Sequence, residues 1–202
     1  MEKAIVQLVC DLKEKDPHIR FAAARTLGEL GRNNTYAYNA LIKTLKDGVW
    51  FVRLAALQSL KEFELDTPAI LQYIVPMLHD THEDVREYAV LTISDRGTEA
   101  AIAIPFLLQA LSDPIWYVRE RVAWVLGQIG TNTHEVRSRL MRCVTDDEIE
   151  VRLASLEALS SICCKYDMEV LTALKDVLSN DAQPLTVKKK AEAALMKIKS
   201  KR

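Results

Sequence analysis

One dipeptide constrains this chain more than any other feature. Ile or Val followed by Arg recurs at Ile19-Arg20, Val52-Arg53, Val85-Arg86, Val118-Arg119 and Val151-Arg152, at a constant spacing of 33 residues. A sixth copy, Val187-Lys188, follows after 36 residues, with Lys in place of Arg. A fixed period of this size means one supersecondary unit stacked many times. The neighbours keep register. Three residues after the basic residue stand Ala23, Ala56, Ala89, Val122, Ser155 and Ala191, and seven after it Leu27, Leu60, Ile93, Leu126, Leu159 and Leu195. Offsets of −1, +3, +7 and +10 describe one face of an α-helix.

A second helical stripe precedes each copy. Leu8, Leu41, Ile74, Leu107 and Leu140 lie twelve residues before the Arg, and Leu12, Leu45, Leu78, Leu111 and Val144 lie eight before it. Between the stripes, six before each Arg, stands an acid: Glu14, Asp47, Asp80, Asp113 or Asp146. An acidic side chain there can satisfy free N–H groups at the next helix start. Pro17 and Pro114 suit the first turn of that helix, and Gly31, Gly97 and Gly130 suit a left-handed cap at its end. Each unit therefore reads as a helical hairpin that cannot bury its apolar stripe alone. The expected pairs are 3–14/17–30, 36–46/49–63, 68–79/83–95, 98–112/115–129, 134–144/148–163 and 168–179/185–199. The expected fold is all-α, a single-domain solenoid over 1–202 with repeats near 1–33, 34–66, 67–97, 98–131, 132–165 and 166–202.

The Asp, the Val-Arg pair, and the small residue and Leu that follow resemble the HEAT repeat, in the short form called phycobilisome-lyase-like. The copies running to Leu27-Gly28 and to Leu126-Gly127 match best, and the resemblance covers essentially the whole chain. It implies that Asp47, Asp80, Asp113 and Asp146, with Arg20, Arg53, Arg86, Arg119 and Arg152, form a ladder linking neighbouring repeats. It also implies a bilin lyase-like, chromophore-handling activity as an alternative to a scaffold. Fold does not fix function.

Composition agrees with a helical scaffold. Gly and Pro together number 12 of 202 residues, too few for many short strands joined by turns. With 27 basic and 28 acidic residues, the whole chain has no bias toward nucleic acid or anionic membrane. No apolar run reaches the length of a membrane span, and the start is too often charged for a signal peptide. The expected location is cytoplasmic, as a monomer or weak dimer.

Catalytic signals are missing. There is no Gly-rich phosphate loop, no G-x-S-x-G, no C-x-x-C and no H-E-x-x-H. The run His79-Asp80-Thr81-His82-Glu83-Asp84 could ligate a metal but reads as a solvated link. The iron-binding HEAT enzyme deoxyhypusine hydroxylase needs His-Glu pairs where this chain has Glu120-Arg121. Cys10, Cys143, Cys163 and Cys164 read as small buried thiols. No metal, cofactor or catalytic residue is expected. The stretch 184–202 holds seven Lys or Arg against one Glu. It reads as a capping helix, with nucleic-acid binding as an alternative.

The binding surface is expected on the second helix of each hairpin, which lines the concave side of HEAT stacks. Offsets +1, +5 and +8 point away from the core stripe. A face that met only water would be polar there. Instead Phe21, Leu54, Leu91, Trp124 and Leu153 occupy it, beside Arg25, Gln58 and Glu120. This row predicts a groove for a protein or peptide partner. Trp50-Phe51 and Trp116-Tyr117 are expected in the links, packed over helix ends.

Overall fold

A computed structural model describes residues 2–32, 34–63 and 67–201, with backbone alone at 67–69 and 98. Among the described residues there are twelve α-helices and no strand. The hairpins are α1 (Glu2–Asp11) with α2 (Pro17–Leu30), α3 (Thr35–Thr44) with α4 (Trp50–Lys61), and α5 (Thr67–Ile74) with α6 (Glu83–Ser94). They continue with α7 (Ile104–Ala110) and α8 (Trp116–Ile129), α9 (His134–Cys143) and α10 (Ile149–Ile162), and α11 (Met168–Ser179) and α12 (Leu185–Ser200). The fold is an all-α repeat solenoid. The chain gathers into two compact units, Met1–Glu99 and Ala100–Arg202, so each holds three hairpins.

Two first helices are shorter than the periodicity predicts. The expected helix over 68–79 stops at Ile74 and continues as a 3-10 segment, Val75–His79. Pro76 lies at its start, where a ring without an N–H cannot continue the α-helical ladder. The expected helix over 98–112 begins as a 3-10 segment, Gly97–Ala103, and becomes α-helical only at Ile104, with Pro105 in its first turn. Pro17 does open α2, but Pro114 lies before α8. Of the three expected left-handed glycines, Gly130 caps α8 at φ +77° and Gly97 stands at φ +56°, whereas Gly31 has φ −104°. Gly31 is small for another reason: a Cβ there would sit 2.6 Å from the Leu27 carbonyl and 2.7 Å from the Ala37 Cβ.

Within each unit the second helices lie closest together, and the first helices scarcely touch one another. The small residues at offset +3 are buried, among them Ala23, Ala56, Ala89 and Ala191. The tightest approach falls elsewhere. Gly28 and Gly127, both at offset +8, face Ser59 and Ala158 of the next repeat; an added Cβ would come within 2.7 Å of the Ser59 Cβ and 2.8 Å of the Ala158 Cα. At Gly28 and Gly127 offset +8 is thus part of the seam between repeats, whereas at Lys61 it is exposed. The buried Ser59 hydroxyl donates to the Ala24 carbonyl across the α2–α4 seam at 2.9 Å.

The Arg–Asp ladder pins this seam at one end. Arg20 donates to both carboxylate oxygens of Asp47, at 2.7 and 2.9 Å. Arg53 grips Asp80 in the same two-pronged way, with Nε at 2.7 Å, and Arg119 grips Asp146 at 2.8 and 2.7 Å. The third donor of each Arg, Nη1, turns back to its own repeat: to the Glu14, Asp47 and Asp113 carbonyls for Arg20, Arg53 and Arg119. Arg86 and Arg152 do likewise to the Asp80 and Asp146 carbonyls. Each ladder Asp also accepts the N–H two residues on: Asp47 from Val49, Asp80 from His82, Asp113 from Ile115 and Asp146 from Glu148. These acids therefore shape the link ahead of the helix instead of capping its first turn. In the first repeat the N-cap is Asp16, which accepts from His18 N–H, and not Glu14. In the sixth, Asn180 accepts from Ala182 N–H, and Arg152 Nε lies buried without a partner. The ladder stops at the repeat that lacks its carboxylate.

These contacts set an acid limit. Burial pushes the carboxyls of Asp47, Asp80 and Asp146 up, but the hydrogen bonds from the paired Arg and the link N–H, with the nearby Arg charges, outweigh it. All three are held below the ordinary 3.8. The folded state thus binds fewer protons than the unfolded one, so this stabilisation is complete above pH 3.8 and is lost as the pH falls below it. Urea unfolding from pH 7 to pH 2 tests this: the wild type loses stability steeply at the acid end. Asp80→Asn starts about 3 kcal/mol lower and has a shallower acid limb, since breaking a buried pair strands the Arg. Parallel limbs would contradict it. A second expectation concerns the seam. Gly127→Val destabilises by about 2 kcal/mol, as expected of overpacking against backbone. Gly48→Ala, with nothing within 4 Å, leaves the thermal midpoint unchanged or slightly raised.

Candidate functional site

The row predicted from the sequence falls in both units. In the first unit, Phe21 and Arg25 stand on α2, Leu54 and Gln58 on α4, and Leu91 on α6. Phe21, Leu54, Gln58 and Leu91 are half-buried and Arg25 is exposed. The helix register places them at the surface because the core stripe, including Leu27, Leu60 and Ile93, faces inward at full burial. Arg25 reaches over the Phe21 ring, 6.0 Å from its centre. Arg25 and Gln58 meet across the α2–α4 seam, where they line a shallow depression of about 280 Å³ with Gly28, Glu29, Arg32, Ser59 and Glu62. Its walls are polar, and Arg32 and Glu62 pair at 3.0 Å. Leu54 and Leu91 stand outside it.

In the second unit, Glu120 and Trp124 on α8 and Leu153 on α10 come together. They line a depression of about 330 Å³ with Glu150, Ala154, Glu157 and Lys190. Trp124 is 36% exposed, high for so large an apolar side chain. Arg121 stands 5.9 Å from its ring centre. Lys190 and Lys197 both pair with Glu157, and the hydrogen bond from Lys190, together with the two charges, outweighs burial and holds its carboxyl below the ordinary range. Glu150, two turns from Glu157 on α10, is exposed. The depression therefore joins an indole and a Leu to charged walls, in which Glu157 is paired with Lys190 and Lys197 and Glu120 lies 3.9 Å from Arg121. Sequence reasoning missed Glu150, Ala154 and Lys190. The first two lie at offsets −2 and +2, which the stagger between adjacent second helices brings opposite Trp124. Lys190 comes from the next repeat.

The aromatic pairs expected in the links belong to helices. Trp50 and Trp116 are the first residues of α4 and α8. Trp50 stacks on His82, with centres 3.8 Å apart and planes 9° apart, and Phe51 stacks on His18 at 5.4 Å. These rings bridge neighbouring repeats over the helix ends. With Asp80 engaged by Arg53, the His79–Asp84 run is divided between ladder and aromatic stack. Among the described residues no group of three His, Cys, Asp or Glu is arranged to hold a metal.

Two of the four thiols are chemically quiet. Burial pushes Cys143 up to about 11 and Cys163 up to about 12, so neither is a thiolate at neutral pH. Cys10, expected to be buried, is exposed. The basic end is largely engaged. Lys190 and Lys197 hold Glu157, Lys188 approaches Asp181 at 3.5 Å, and Lys201 donates to the Cys163 carbonyl at 2.9 Å. Arg202 lies outside the described residues. No helix among those residues is long and apolar enough to cross a membrane.

Known proteins place this arrangement. The profile described as HEAT repeats matches residues 2–61, 38–104 and 104–196. The chain belongs to the HEAT-repeat family. Among solved structures, this HEAT protein is similar to YibA of Escherichia coli, with a TM-score of 0.74 at 20% identity over 100% of this chain and 83% of that one. It is also similar to a designed armadillo repeat protein in complex with the peptide (KR)4, with a TM-score of 0.66 at 20% identity over 96% and 98% of the two chains. Both likenesses concern the fold. Over 102 residues, half of this HEAT chain, it is 26% identical to the uncharacterized phycocyanin operon protein Y of Pseudanabaena tenuis. The match spans 23% of that relative's length.

Proposed function

We propose that this HEAT-repeat protein is a non-catalytic scaffold that binds an extended protein segment along its second helices. The observation that carries this reading is the depression in the second unit, where Trp124 and Leu153 stay at the surface between acidic side chains. Large aromatics at a surface are the residues that most often anchor a partner. Within each unit the second helices pack closest to one another, and in the first unit Phe21, Leu54 and Leu91 form an apolar row on them. The exposed carboxylate of Glu150 in this depression favours a segment carrying Lys or Arg beside its apolar anchors. A designed armadillo neighbour was solved with the basic peptide (KR)4, and a similar repeat surface can take a ligand of this kind. The protein works without a cofactor, as a monomer or weak dimer, and its four free cysteines suit a reducing cytoplasm.

Selection from a random peptide library tests this. Segments with basic residues beside Leu or Phe are enriched, and their affinity falls at least about tenfold with Trp124→Ala, as expected for a central anchor. Leu91→Ala weakens binding less, and the circular dichroism melt of both variants is unchanged. Selected ligands indifferent to both substitutions would sink the groove.

A second reading, a bilin-handling protein, draws on the match to a phycocyanin operon protein. Incubation with phycobilin and apo-phycobiliprotein decides it, because no change in visible absorbance excludes it. Nucleic-acid binding through the C-terminal helix has less support, because most of its lysines are engaged within the unit.

A further inference from the structure

The first unit carries a second cleft, on its first helices. It lies between the C-terminal part of α1 and α3 and has a volume of about 290 Å³; its lining includes Val9, Leu12, Lys13, Tyr36, Ala40, Lys43 and Lys46, with the polar Asn39 and Thr44 among them. The floor is apolar: Val9 is buried, and Leu12 and Ala40 are half-buried. Tyr36 forms a wall at 52% exposure. The rim is cationic. Lys13, Lys43 and Lys46 are all exposed, and none makes an ion pair among the described residues. The one carboxylate in the lining, Asp47, is held on both oxygens by Arg20 and cannot neutralise them.

Three like charges around an apolar floor repel one another, and the lining leaves them uncompensated. An occupant that supplies carboxylates relieves that repulsion while it covers the floor. Size narrows the choice. The volume is at the lower edge for small-molecule sites, and the cleft is open to one side, so a free ligand would keep much of its surface in water. One apolar side chain inserted from a longer segment fits it better, with flanking acids reaching the rim.

We propose that the α1–α3 cleft binds an acidic segment of a partner protein, with one Phe or Leu side chain on Val9, Leu12 and Ala40 and flanking Glu or Asp on Lys13, Lys43 and Lys46. The site is separate from the second-helix surface and prefers the opposite charge. One side of the first unit thus takes an acidic segment, and Trp124 in the second unit takes a basic one.

Fluorescence anisotropy with a labelled octapeptide of Glu around a single Phe tests the proposal, using the whole protein. Saturable binding is expected that weakens steeply between 20 and 200 mM salt, as exposed charge pairs require. It falls at least about tenfold with Lys13→Glu plus Lys43→Glu, and at least about fivefold when the peptide Phe is replaced by Ser, the loss of one buried aromatic contact. Ala40→Trp, which fills the floor, abolishes it, while Trp124→Ala leaves it unchanged. Loss with Trp124→Ala would move the site to the second-helix surface and overturn the proposal. Binding that survives the Phe→Ser change would show charge attraction alone and overturn it equally, as would no saturation at 1 mM peptide in 20 mM salt. The substituted side chains are at the surface or cleft, and an unchanged far-ultraviolet melt checks that each variant is folded.

Discussion

The two-pronged bond between an Arg of one repeat and the Asp 27 residues later is the contact on which the rest of the stack depends. A guanidinium has donors on two edges, and the ladder uses both. One edge crosses to the next repeat, and the other holds a carbonyl of the link just before its own helix. The carboxylate is doubly used as well, because it fixes the next link through a backbone N–H. Lys could supply the charge but not the planar fork. That accounts for Arg at positions 20, 53 and 119, where the fork meets a carboxylate. The softened sixth copy, Val187-Lys188, stands where Asn180 has replaced the carboxylate.

Pinning the links fixes how closely second helices can lie, and that spacing dictates side-chain size along the seam. Gly28 against Ser59 and Gly127 against Ala158 are consequences of it. It also determines what remains at the surface. Offsets +1 and +5 lie outside the core stripe, and there the chain places Phe21, Leu54, Leu91, Trp124 and Leu153. The ladder has likewise consumed the link acids. Charges left for partners are therefore those outside the repeat pattern: Glu150 beside Trp124, and Lys13, Lys43 and Lys46 around the α1–α3 cleft.

That division explains what was legible in the sequence. Features shared by the repeats were readable: the hairpins and the core stripe from period, and the ladder from the resemblance to the HEAT repeat. Features of single repeats were not. Pro76 and Pro105 convert parts of two first helices to 3-10 geometry, which an apolar stripe does not register. Gly31 shares an offset with Gly130 but answers to crowding by Ala37 and not to a left-handed turn. Offset +8 at Gly28 and Gly127 looked exposed on a single helical wheel because a wheel has no neighbouring helix. The walls of the Trp124 depression come from the two following repeats, so only the stagger between hairpins could reveal Glu150 and Lys190.

A double-mutant cycle on Arg53 and Asp80 tests the ladder most directly, with Arg53→Ala, Asp80→Ala and the pair compared by urea unfolding at pH 7. Each single change strands a poorly solvated partner, whereas the double change removes both. The account predicts a coupling of about 2 kcal/mol or more, in the range of contacting, desolvated pairs. A coupling below about 0.5 kcal/mol, the level of an exposed ion pair, would contradict it.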